Sequence, residues 1–156
     1  MSDPTTPTEV ASLLHEGHAV MRGIVAALPA STLDWKPGEA TNSIAALVTH
    51  ALDAERHLTA LVAGLSLPRD REAAFRVAGL RGEDLVAQID ATERDVDGHL
   101  ELATPDRLAT TIQRPNRTAT GAGLLIHALA HSREHIGQAC LTRQLAEQAG
   151  GDVPGD

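Results

Sequence analysis

Apolar residues recur every three or four positions along four stretches of the chain, the spacing that places them on one face of an α-helix. Residues that favour helix starts come just before three of these stretches: Thr6, Asn42 or Ser43, and Thr120. The pattern predicts helices near 7–28, 43–63, 82–102 and 121–148. Because each helix would bury one apolar face, the sequence predicts an all-α four-helix bundle.

The connections between the predicted helices are long, whereas bundles of simple up-down-up-down topology use short loops. At least one connection is therefore expected to cross over the bundle. Residues 69–80 are ambiguous, and residues 105–120 are predicted to be irregular. The sequence contains no internal repeat, so residues 1–156 are interpreted as one domain with flexible ends at 1–6 and 150–156.

The composition supports helices and narrows the possible partners. The chain has 26 Ala and 20 Leu against 9 Val and 6 Ile, and it has no Tyr, which favours helix over sheet. A formal net charge of −8 and the scarcity of aromatic residues argue against nucleic acid as a partner. The sequence contains no apolar stretch of membrane-spanning length, no secretion signal and only one cysteine, Cys140, so a cytoplasmic protein is predicted.

Eight histidines are many for a chain of 156 residues, and their spacing suggests a metal site. His131 and His135 are four residues apart, so both would lie on one face of the last helix. A catalytic divalent-metal site uses three protein ligands and leaves one position open, and His50 on the second helix is the candidate third ligand. Histidines that merely pack or face solvent show the same spacing, so the spacing alone leaves both interpretations open.

Two motifs resemble those of a known family. The segment HALAHSREHIGQ at 127–138 is similar to the signature on the last helix of the DinB/YfiT-like superfamily of metalloenzymes. The segments DWKPGE at 34–39 and SIAALVTHALDAER at 43–56 resemble that family's entry into its second helix. The resemblance implies an up-down-down-up bundle and a metal ion held by His50, His131 and His135.

Further residues are candidates for supporting the metal ligands. The resemblance gives His127 no ligand role, so this residue is expected to support the site or to pack. Gln138 is a candidate hydrogen-bond partner of the ligands. Asp53 and Glu55 flank His50, and metal-binding histidines usually donate their second N–H to a carboxylate or a carbonyl.

The resemblance also suggests the chemistry. Relatives in this superfamily include enzymes that use a low-molecular-weight thiol such as mycothiol or bacillithiol, so the leading hypothesis is a metal-dependent S-transferase or isomerase acting on a small-molecule substrate. Zinc and nickel are the expected ions, since imidazole suits both. The alternatives are a metal-hydroxide hydrolase and a non-catalytic metal-binding stress or interaction module. A homodimer is also expected, because relatives often pair.

Overall fold

The computed structural model describes residues 7–150, so the expected flexible segment 1–6 and nearly all of 150–156 lie outside the described residues. Four long helices, two short helices, one 3-10 helix and one hairpin make up this part of the chain. In chain order they are α1 (Pro7–Val25), α2 (Ala30–Asp34), α3 (Ile44–Ala63), a 3-10 helix (Arg71–Phe75), α4 (Gly82–Glu101), α5 (Pro105–Ala109), β1 (Thr111–Arg114), β2 (Arg117–Thr120) and α6 (Gly121–Ala149). Within residues 7–150 no helix combines the length and the apolar character needed to cross a membrane.

The long helices α1, α3, α4 and α6 form a bundle with up-down-down-up topology, as the resemblance implied. Contacts between helices show that α3 and α4 are parallel, α1 and α4 antiparallel, and α1 and α6 parallel. The contacts Thr49–Gln88 and Thr59–His99 give the direction of α3 and α4. The contacts His15–Asp97 and Arg22–Asp90 give that of α1 and α4. The contacts Leu13–Arg133 and Gly17–Ile136 give that of α1 and α6. Because α3 and α4 are parallel neighbours, the connection between them at 64–81 runs back along the length of the bundle, which explains its length.

The core consists of two apolar clusters, one toward each end of the bundle. One cluster includes Met21, Ile44 and Leu85, and the other includes Leu14 and Leu124. Along each long helix, a buried polar or charged residue lies between the segments that supply the two clusters: His18, Glu55, Thr92 and Ser132. The middle of the bundle is therefore a polar layer.

A buried histidine joins three helices in this layer. His18 of α1 and Glu55 of α3 are both 0% exposed, and the His18 Nε2 donates to the Glu55 Oε2 over 2.6 Å. The His18 Nδ1 donates to the Oε2 of Glu93 of α4 over 3.0 Å. Arg22 also donates to Glu93, over 3.0 Å. Each imidazole nitrogen of His18 thus has a carboxylate partner.

The prediction of irregular structure at 105–120 was wrong. Thr104 caps α5 with Pro105 in its first turn, and the β-branched residues that follow form an antiparallel hairpin. Pro115 and Asn116 make the two-residue turn, with Arg114 paired to Arg117. The first helix also ends earlier than predicted, at Val25, and α2 follows it.

Candidate metal centre

Two neighbouring helices supply the three predicted ligands. His50 lies on α3, which begins where the Ser43 hydroxyl accepts a hydrogen bond from the Ala46 N–H. His131 and His135 lie one turn apart on α6. Because α3 and α6 are antiparallel, His50 faces the middle of α6, and the three side chains meet at one point of the bundle.

The Nε2 atoms of the three histidines converge. The His131 Nε2 is 3.2 Å from the His50 Nε2 and 3.2 Å from the His135 Nε2. Two imidazole nitrogens bound at about 2.0–2.1 Å to one tetrahedral zinc ion stand about 3.3 Å apart. Within residues 7–150 these histidines form the one group of three or more metal-ligating side chains whose donor atoms all lie within 4.8 Å of one another.

The surroundings keep two of these imidazoles neutral. Burial and the charge of His135, with smaller effects of Arg71 and Arg69, lower the pKa of His50 to about 4. Burial and the charges of His135 and His50 lower the pKa of His131 to about 4 as well. A metal ligand must offer an unprotonated nitrogen, so this electrostatic environment suits metal binding.

Neighbouring side chains orient the rings. The Nδ1 of His135 donates to the Oε1 of Gln138 over 2.7 Å, which fixes the tautomer that leaves the Nε2 lone pair free. The Phe75 ring packs on the His50 ring with 4.4 Å between centroids. The Nδ1 atoms of His50 and His131 are buried, and neither has a hydrogen-bond partner in the described part of the chain. Packing therefore holds these two rings.

The other candidate supporting residues are placed differently. The ring of His127 is 5.9 Å from that of His131, and its Nδ1 lies 3.4 Å from an Arg117 nitrogen. Asp53 accepts a hydrogen bond from Arg69 over 2.7 Å.

Glu55 is not brought to the three histidines, contrary to the expectation that it supports His50. Its Oε2 is engaged by His18 on another side of α3. Five residues along a helix turn the side chain by about 140°, which is why Glu55 and His50 face different neighbours.

A cavity of about 690 Å³ opens beside the ligands. His50 and His131 line it together with His57 and His127, and apolar residues of α3 such as Leu58 form part of the wall. No fourth His, Cys, Asp or Glu of residues 7–150 joins the ligand group. The arrangement is thus a three-histidine centre next to open space rather than a closed four-ligand centre.

Sequence reasoning missed several residues of this site. Phe75 lies in the segment left ambiguous, and His57 lies two turns after His50 on α3, a spacing that places both on one helix face. Arg114 and Arg117 were missed because the hairpin was not predicted. The signal was present in Thr and Ile residues on both sides of a Pro-Asn turn.

A sequence model of the DinB superfamily matches residues 13–139, a span that includes all three histidines. The chain therefore belongs to the DinB superfamily. No curated protein matches it.

Solved structures share the fold at low sequence identity. A DinB-like protein from Bacillus subtilis is 20% identical with a TM-score of 0.70, over 94% of this chain and 96% of that one. A conserved protein from Enterococcus faecalis is 16% identical with a TM-score of 0.78, over 94% and 99% of the two chains. A DinB-like protein from Bacillus cereus is 13% identical with a TM-score of 0.70, over 96% of each chain. These likenesses show the bundle fold.

Proposed function

We propose that this chain binds one divalent ion, zinc or nickel, through His50, His131 and His135, and that it is a metal-dependent S-transferase or isomerase using a small thiol. The observation that carries the proposal is the convergence of three Nε2 atoms at the spacing of ligands on one ion.

Hydrogen bonding among the histidines explains this convergence less well than a metal ion does. The His131 Nε2 is within 3.2 Å of two other ring nitrogens. A neutral imidazole nitrogen either carries one hydrogen or offers one lone pair, so it forms one good bond of this kind. One of the two contacts would then lack a suitable hydrogen bond, whereas a shared ion uses all three lone pairs.

Three neutral ligands and an open position suit activation of a substrate. When bound, the ion would lower the pKa of a thiol or a water molecule at that position. His50, His131 and His135 hold the ion without reducing its charge, and the cavity gives a small molecule access to it. Cys140 packs against one of the apolar core clusters, so the nucleophilic sulfur is assigned to the thiol cosubstrate.

An assay on metal-loaded protein separates this activity from its alternatives. Protein purified without immobilised-metal resin and loaded with zinc or nickel should transfer a small thiol to an electrophile such as 1-chloro-2,4-dinitrobenzene. The His131→Ala variant should lose this activity. A matched control is His15→Ala, which removes a histidine that pairs with Asp97 away from the metal group.

The alternatives give different results in the same assay. Ester hydrolysis without any thiol would identify a metal-hydroxide hydrolase instead. Stable metal binding without either activity would identify a non-catalytic metal-binding module.

A further inference from the structure

The cavity beside the three histidines has a charge opposite to that of the chain. All of its charged lining residues apart from the histidines are arginines: Arg69, Arg71, Arg114 and Arg117. The chain as a whole carries 21 acidic and 13 basic residues. A concave surface lined by one sign of charge attracts ligands of the opposite sign.

Two separate segments bring these arginines together. Arg69 and Arg71 come from the connection between α3 and α4, at the start of the 3-10 helix. Arg114 and Arg117 are cross-strand partners that flank the turn of the hairpin. Like charges directly opposite each other destabilise a strand pair. The hairpin therefore maintains an unfavourable pair at the cavity wall.

The protein itself neutralises few of these charges. Arg69 has a carboxylate partner, Asp53, at 2.7 Å. Arg117 contacts the neutral acceptor His127. Within residues 7–150, the guanidinium groups of Arg71 and Arg114 form neither an ion pair nor a hydrogen bond. Burial, followed by the charges of Arg69 and Arg117, lowers the pKa of Arg114, which shows that this half-buried guanidinium lies in a field of like charge.

We infer that the cavity binds a small molecule bearing an oxyanion group, a carboxylate or a phosphate, and that Arg114 and Arg117 are its principal contacts. The guanidinium fork matches the paired oxygens of either group. An anion between these residues would relieve their mutual repulsion. The inference rests on the proposed function in one respect: the other end of the bound molecule would reach the metal ligands His50 and His131, which line the same cavity.

The test uses metal-free protein, so that it does not depend on the metal. Full-length protein treated with chelator is titrated at low ionic strength with succinate and, separately, with inorganic phosphate. Nuclear magnetic resonance follows the backbone amides of 111–120 and the arginine Nε–H groups. We expect saturable shifts centred on 113–117 with at least one of the two anions. A preference for succinate assigns a carboxylate ligand, and a preference for phosphate assigns a phosphate ligand.

Variants decide whether the arginines are responsible. Arg114→Gln and Arg117→Gln should each weaken anion binding by about tenfold, the loss expected for one charge-assisted hydrogen bond. The matched control Arg143→Gln removes the same charge from a residue paired with Glu147 on α6, and it should leave binding unchanged. Cross-strand nuclear Overhauser effects between 111–114 and 117–120 in the free variants verify that the strands remain paired.

Several results would overturn the inference. One is the absence of shifts with both anions. Another is an anion affinity in the double variant Arg114→Gln/Arg117→Gln equal to that of the wild type. A third is a loss of affinity in Arg143→Gln as large as that in Arg114→Gln or Arg117→Gln. Tighter binding of a DNA oligonucleotide than of either small anion would also overturn it. Because the titration is done without metal, failure of metal binding refutes the proposed function and leaves this result standing on its own.

Discussion

Replacing His18 with Leu is expected to destabilise the bundle by about 3–5 kcal/mol, the usual cost of removing one partner of a buried ion pair. Leu has a volume close to that of His, so the loss comes from the polar contacts rather than from a large cavity. The Glu55 carboxyl group, 0% exposed, would lose its 2.6 Å hydrogen bond to His18. Its other oxygen is already without a hydrogen-bond partner in the described part of the chain. Glu93 would keep Arg22 as a partner.

A double variant tests the origin of that loss. Replacing a buried pair by apolar residues of similar volume is often neutral, so His18→Leu/Glu55→Met should recover most of the stability lost by His18→Leu. Urea unfolding followed by circular dichroism, on chelated protein at constant pH, measures both differences. A double variant no more stable than His18→Leu would refute the reasoning, because the loss would then come from packing.

The same contacts predict a pH dependence. Burial acts to lower the pKa of His18, but the hydrogen bonds and charges of Glu55 and Glu93 outweigh it and raise the pKa above 6.5. The resulting stability is fully present below pH 6.5 and is lost as the pH rises through the folded-state pKa. The free energy of unfolding of the wild type, relative to the double variant, should therefore fall at alkaline pH. A difference that stays constant with pH would contradict this.

Four further predictions concern two helix glycines, the ligand support and the assembly. Gly98→Ala should raise the free energy of unfolding by about 1 kcal/mol, since a Cβ there meets no atom within 4 Å. Gly82→Ala should lower the thermal midpoint, because its Cβ would overlap a backbone carbonyl at the end of α1. Gln138→Leu should weaken metal affinity about tenfold in a chelator competition by releasing His135. Light scattering should show a dimer, because exposed Leu141 is an apolar position on α6 available for pairing. A monomer at a protein concentration of roughly tens of micromolar would contradict this prediction.

The helices were predictable because their signal is local. The apolar spacing that predicted a helix near 43–63 also buries Ile44, Leu58 and Val62 in the structure. The pairing of His131 with His135 was predictable for the same reason, since a helix fixes the geometry of residues four apart. Short helices and the hairpin were missed because their signals extend over only four or five residues.

The rest of the site depends on contacts between distant segments. His50 is 81 residues before His131, and only the packing of α3 against α6 brings the two side chains together. Motif resemblance supplied that pairing; the spacing of the histidines could not. The arginines of the cavity come from two connections, so no single segment of sequence shows that they meet. Glu55 binds the buried His18 of α1. Its closeness in sequence to His50 therefore wrongly predicted that it supports His50.

Metal content is the most direct test of the central claim. Protein purified without immobilised-metal resin, loaded with zinc or nickel and freed of excess ion, is measured by inductively coupled plasma mass spectrometry. The wild type should hold one ion per chain. His50→Ala and His131→Ala should lose most of it while keeping the helical circular-dichroism signal, and His127→Ala should retain it. Equal metal content in all of these proteins, or loss in His127→Ala alone, would contradict a centre built from His50, His131 and His135.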